Sequence, residues 1–244
     1  MLSPKPWKPE AVLRLLLGIF MCLAIGALLS LLVRGANAAR PEMSLGRMLV
    51  SVLSFQGAAL GLVWLFVREH SMSWAEAFGF RNRPGRALLL GAVVILVFSP
   101  VGQFLQLLSI KLLTWLHLDP AAQSAVEVLR GLGRGPGLIA FMLVTIVIVP
   151  LAEELIFRGI LYPAIQTAGF PRLALWGPSV LFATIHFNLA SFLPLLLLAL
   201  VLTWLYAATD NLLATITAHS LFNAVNLGLF FLSEEFSRTL PAQS

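Results

Sequence analysis

Long uncharged apolar runs alternate with short charged stretches along the whole chain. Leu15 to Val33 carries no charge and is bracketed by Arg14 and Arg34. Crossing the hydrocarbon of a bilayer takes about 20 apolar residues, so this run predicts a first spanning helix. Lys5, Lys8 and Arg14 before it, and Ala36-Asn37-Ala38 after it, lend it the outline of a secretory leader. A leader's apolar core is only about 7–15 residues, so the run is read as a retained helix. Leu49 to Val67 predicts a second span. Ala87 to Ile110 predicts a third, kinked at Pro100, with Gln103 and Gln106 needing partners inside a bundle.

Arg68 to Arg86 reads as a loop with a short interfacial helix, where Ser73-Trp74-Ala75-Glu76 has capping-box spacing. Lys111 to Leu132 is mixed and suggests a half-buried helix, and the glycine-rich stretch Gly131 to Gly137 breaks the chain. A fourth span begins at Leu138 and ends in a double-glutamate stretch, bent at Pro150, which leaves the Ile146 carbonyl without its usual donor. Leu173 to Thr209 is uncharged and far longer than one crossing, so it predicts two spans turning between Asn188 and Pro194. Asp210-Asn211 marks a tight turn before a last span, Leu212 to Leu232. The expected fold class is all-α: a polytopic transmembrane helix bundle of about seven spans (six to eight), with one interfacial helix. The expected division is 1–135 for N-terminal helices and loops, 136–233 for a motif-bearing core and 234–244 for a polar tail.

Composition agrees: 59% of residues are hydrophobic and 11% charged, against about 25% charged in soluble domains. The expected place is an integral, multi-pass position in the cell (inner) membrane, with lipid as the surrounding partner. The net charge of +5 does not indicate nucleic acid, because the basic residues flank apolar runs and set orientation. With the N-terminus inside, nine of them fall inside and seven outside, a slight lean toward N-inside that places the double glutamate toward the cytoplasm. The single cysteine, Cys22, excludes an internal disulfide and a cysteine-based metal cluster. Nothing in the pattern sets an oligomeric state.

Candidate chemistry concentrates in Val149 to Pro163. Between Arg134 and Glu234 the charged residues are Glu153, Glu154, Arg158, Arg172 and Asp210. Charges at bilayer depth cost several kcal/mol and mark function. In a helix Glu154 and Arg158 stand at i and i+4, the favourable order for an ion pair. Glu153 lies about 100° round the helix and cannot share that arginine equally. One glutamate is thus structural, and the other is available for general base work. Two later apolar segments each offer a histidine: Phe182-x-x-x-His186, and His219-x-x-x-Asn223. Neutral histidine and asparagine both offer donors to a developing oxyanion. Singly, each histidine reads as a buried polar pin between helices. His70 and His117 lie in or beside loops and are given no role.

The ordered set Glu153-Glu154-x-x-x-Arg158, Phe182-x-x-x-His186, His219-x-x-x-Asn223 resembles the CAAX protease and bacteriocin-processing (CPBP, or Abi) family, over roughly Leu138 to Leu232. The resemblance implies an intramembrane, CAAX prenyl-type endopeptidase acting on a membrane-associated peptide or protein. By that likeness Glu153 and His186 activate a water, and His219 and Asn223 hold the oxyanion. Glu154, Arg158 and Phe182 give structural support. Glu153, His186 and His219 also match a zinc ligand set by type, so zinc is the alternative to a metal-free glutamate mechanism. A non-catalytic membrane adaptor or bacteriocin-immunity protein, and a transporter with a buried proton relay, are the competing functions.

Overall fold

In a computed structural model the described residues are 2–33, 50–120, 124–132 and 135–239. They are built from helices: α1 (Pro9–Val33), α2 (Val50–Glu69), α3 (Trp74–Phe78), α4 (Pro84–Trp115), α5 (Ser124–Gly131), α6 (Pro136–Thr167), α7 (Pro171–Thr184), α8 (Leu189–Thr209) and α9 (Leu212–Thr239). No strand occurs among the described residues. Six helices (α1, α2, α4, α6, α8 and α9) are long and apolar enough to cross a membrane. The chain is an all-α, integral, multi-pass membrane protein. Its outer faces carry exposed apolar side chains such as Phe20, Leu96, Val97 and Phe104, the surface that meets lipid.

The remaining predicted crossing is α7. Its 14 residues rise about 21 Å at about 1.5 Å each, short of a hydrocarbon core of about 30 Å. The turn after it comes at 185–188, earlier than expected. Phe187 takes a left-handed φ of 48°, and the Asn188 side chain accepts the Ser191 backbone N–H at 2.9 Å. That cap starts α8, which carries Pro194 within it.

The fourth span differs more. The glutamates were expected at its end, but α6 runs on for 32 residues, and they sit in its middle. Pro150 does not stop the helix because π-helical turns at Val144–Ile148 and Leu155–Leu161 flank it and absorb the change in ladder register.

Helix α4 lies along α8 and α9, α9 crosses the middle of α6, and α7 packs on α8 and on the second half of α6. Gly91 lets α4 and α9 approach closely, since a Cβ there would stand 2.4 Å from the Ala214 carbonyl oxygen. The predicted capping box forms: Glu76 N–H donates to Ser73 Oγ at 3.3 Å and Ser73 N–H to Glu76 Oε2 at 3.0 Å. It sets α3 against the back of α6, where a Cβ on Gly159 would fall 2.7 Å from the Phe78 ring. The N-terminal segment straps the same region. Trp7 Nε1 donates to the Gly159 carbonyl at 3.0 Å, and buried Lys5 donates to the Glu76 carbonyl at 3.2 Å and pairs with Asp210 at 3.9 Å. Burial pulls Lys5 below the ordinary lysine range, and Asp210 pulls it partly back.

Candidate active site

Each motif stands where local structure holds it rigid. In the middle of α6, Arg158 donates to Glu154 Oε1 at 2.7 Å, and both side chains are fully buried. The second arm of the guanidinium donates to the Ala199 carbonyl on α8 at 3.1 Å. Its face lies 4.8 Å from the centroid of Phe182. Phe182 is itself fully buried, with ring contacts to Phe157 at 5.3 Å, His186 at 4.9 Å and His219 at 5.6 Å. Phe182 is therefore the apolar floor on which both histidines and the arginine rest.

His219, on α9, joins the two glutamates. Its Nδ1 is 2.8 Å from Glu154 Oε1 and its Nε2 is 3.7 Å from Glu153 Oε2. An ionised carboxylate only accepts, so Nδ1 carries the proton and donates to Glu154. The opposite nitrogen, Nε2, accepts in neutral imidazole and donates only in imidazolium. His186 is fixed the same way at the end of α7: its Nδ1 lies 2.7 Å from the Phe182 carbonyl. A carbonyl only accepts, so Nδ1 is the donor and Nε2 keeps its lone pair in the neutral ring.

Glu153, His186, His219 and Asn223 line one cavity of about 640 Å³. Glu154, Arg158 and Phe182 do not line it and stand behind as support. Glu153 is buried, and its Oε2 has no hydrogen-bond partner among the described residues. A buried carboxylate oxygen without a donor is costly. This oxygen is sealed from solvent, as is the equally unpartnered Oε2 of Glu154, while Glu153 as a residue lines the cavity. Asn223 Nδ2 donates to the Thr145 carbonyl at 2.9 Å, within the first π-helical turn of α6. That bond uses one N–H, fixes the amide plane and leaves the second N–H for the cavity.

Zinc is the alternative reading of the same residues. Among the described residues no three His, Cys, Asp or Glu side chains are grouped as metal ligands. The Nδ1 atoms of both histidines are held by oxygen acceptors, an arrangement that histidines ligating a metal through Nε2 also show.

Three parts of the site were not singled out from the sequence. Asn226 follows Asn223 on the same face of α9, a signal present in the spacing. Gln103 was expected to need a partner, and Asn226 is it, at 2.6 Å. The Thr145 carbonyl and the Trp7 contact are main-chain encounters between distant segments, which no side-chain pattern announces.

Fold and site together define a polytopic membrane protein that brings glutamate, histidine and asparagine side chains to one cavity among its helices. Residues 135–225 match the family model described as type II CAAX prenyl endopeptidase Rce1-like, in agreement with the resemblance read from the motifs. The UPF0177 protein YxdF of Lactococcus lactis subsp. lactis (strain IL1403) is 33% identical over 96 residues, covering 39% of this chain and 52% of that protein. The chain thus spans about half the length of this curated relative. No solved structure matches.

Proposed function

We propose that the protein is an intramembrane endopeptidase of the glutamate type, hydrolysing a peptide bond in a membrane-associated, CAAX prenyl-type protein or peptide at the cell (inner) membrane. One observation carries the reading: α6, α9 and the turn after α7 bring Glu153, His186, His219 and Asn223 to one cavity. The family match at 135–225 points the same way, and all four residues fall in the proposed core, 136–233.

In this mechanism a water sits between Glu153 and His186. Glu153 takes one proton, the His186 Nε2 lone pair accepts a hydrogen bond from the other, and the oxygen attacks the scissile carbonyl carbon. The resulting oxyanion receives the second N–H of Asn223, with the His219 ring beside it. The C–N bond then breaks, and the leaving amine takes the proton from Glu153. Glu154 keeps His219 turned the right way, and Arg158 keeps Glu154 charged and fixed. No metal enters in this reading; that no three His, Cys, Asp or Glu side chains are grouped as ligands among the described residues supports that choice.

The test compares the membrane peptidome of cells carrying wild type or Glu153→Gln, followed by cleavage assays on the purified proteins. Peptides that disappear with Glu153→Gln, at an unchanged thermal midpoint, are expected. A folded Glu153→Gln protein with full activity would sink the assignment. Identical peptidomes and no cleavage by wild type would favour a non-catalytic adaptor.

A further inference from the structure

The cavity holds more polarity than the proposed reaction uses. Gln103 and Gln106 on α4 and Asn226 on α9 line it beside apolar walls that include Leu129, Phe141 and Leu227. Gln103 Nε2 donates to Asn226 Oδ1 at 2.6 Å, and Asn226 Nδ2 donates to the Phe222 carbonyl at 2.9 Å. The Gln103 oxygen, the second N–H of each amide and the whole Gln106 head have no other partner among the described residues. These amides are part-buried at the cavity, where the polar groups of a bound chain can meet them.

Spacing suggests a use for them. His219, Asn223 and Asn226 recur at i, i+4 and i+7, on one face of α9. Seven residues of helix rise about 10 Å at about 1.5 Å each, and an extended chain covers that distance in about three residues. A peptide must leave the helical conformation to present its carbonyl to a water. At bilayer depth its released N–H and C=O groups then need partners. A side-chain amide offers a donor and an acceptor together, as the edge of a strand does.

We infer that Gln103 and Asn226 form a subsite that hydrogen-bonds the backbone of an extended apolar segment about three residues from the scissile bond. The pair selects a locally unwound, strand-like substrate and leaves side-chain choice to the apolar walls. This inference rests on the peptidase reading.

The full chain in detergent is offered a library of quenched-fluorescent apolar peptides, with and without a prenylated cysteine. The best-cleaved peptide is resynthesised with each peptide bond in turn replaced by an ester, which removes one N–H. With wild type, one ester about three residues from the cut should raise KM by about 3–10-fold, the worth of one hydrogen bond, with kcat within about twofold. Gln103→Leu should raise KM for the parent peptide by a similar factor, and the ester should then add nothing. Should Gln103→Leu fail to fold, Gln103→Met, which keeps the side-chain length and removes the amide, carries the same comparison. An unchanged parent KM in the folded variant, or an ester effect that persists in it, overturns the subsite. A wild type that cleaves well but ignores every ester overturns it too and leaves the peptidase intact. A wild type that cleaves no peptide in the library overturns the peptidase reading and this inference together.

Discussion

Arg158→Ala separates a structural ion pair from a catalytic one. Arg158 and Glu154 are 1% and 0% exposed, with Nη1 to Oε1 at 2.7 Å. Removing the guanidinium breaks two hydrogen bonds and uncovers the Phe182 face. The Ala199 carbonyl loses little, because Thr203 Oγ1 still donates to it at 2.8 Å. Glu154 loses more: its charge stays buried with only neutral-capable partners, His219 Nδ1 and the Thr215 hydroxyl, beside it. Stranding a buried charge costs about 3–5 kcal/mol. At about 2–4 °C per kcal/mol for a chain of this size, the thermal midpoint should fall by about 6–20 °C, with lower detergent-extracted yield. Glu154→Leu should behave similarly. The double variant Glu154→Leu/Arg158→Leu should be less destabilised than the sum of the two, since it leaves no lone charge. The assay is thermal unfolding in detergent for all four proteins. A midpoint for Arg158→Ala within about 2 °C of wild type, or strict additivity, would refute the reasoning.

Other outcomes follow from the same geometry. Asn223→Ala should lower turnover by about 10²–10³, the loss of one oxyanion donor, while the missing bond to the Thr145 carbonyl costs only about 1 kcal/mol of stability; a large drop in midpoint with turnover intact would make Asn223 a fastener. Purified active protein should contain no stoichiometric zinc by elemental analysis and should keep its activity after exhaustive chelation; one zinc per chain, with activity lost on removal and restored on return, would overturn the metal-free mechanism. Trp7→Phe keeps the ring packed on Phe66 and His70 but removes the donor to Gly159, so the midpoint should drop by about 1–6 °C; no change would show that the N-terminal strap does not brace α6.

Much of this protein is legible along one dimension. Apolar runs of spanning length, broken by charge, are a direct consequence of the bilayer's thickness, so the all-helical membrane fold follows from counting. The pairing of Glu154 with Arg158 and the placement of Phe182 beneath His186 are also local, because a helix brings i and i+4 together whatever surrounds it. The capping box at Ser73 and Glu76 is local for the same reason. What the sequence did not determine depends on packing between distant segments. Pro150 reads as a bend near the end of α6, yet with π-helical turns on both sides the helix runs on to Thr167 and both glutamates stand in its middle. The uncharged run from Leu173 reads as two full crossings. The capped break at Asn188 instead makes the first a short helix that ends with His186 at the cavity. His219 contacting both glutamates, Asn223 held by the Thr145 carbonyl and Gln103 held by Asn226 require α9 to lie against α6 and α4. Periodicity says which face of a helix is polar, but only the tertiary packing decides which other polar face meets it, because that choice is set by the shape and closeness of whole helices.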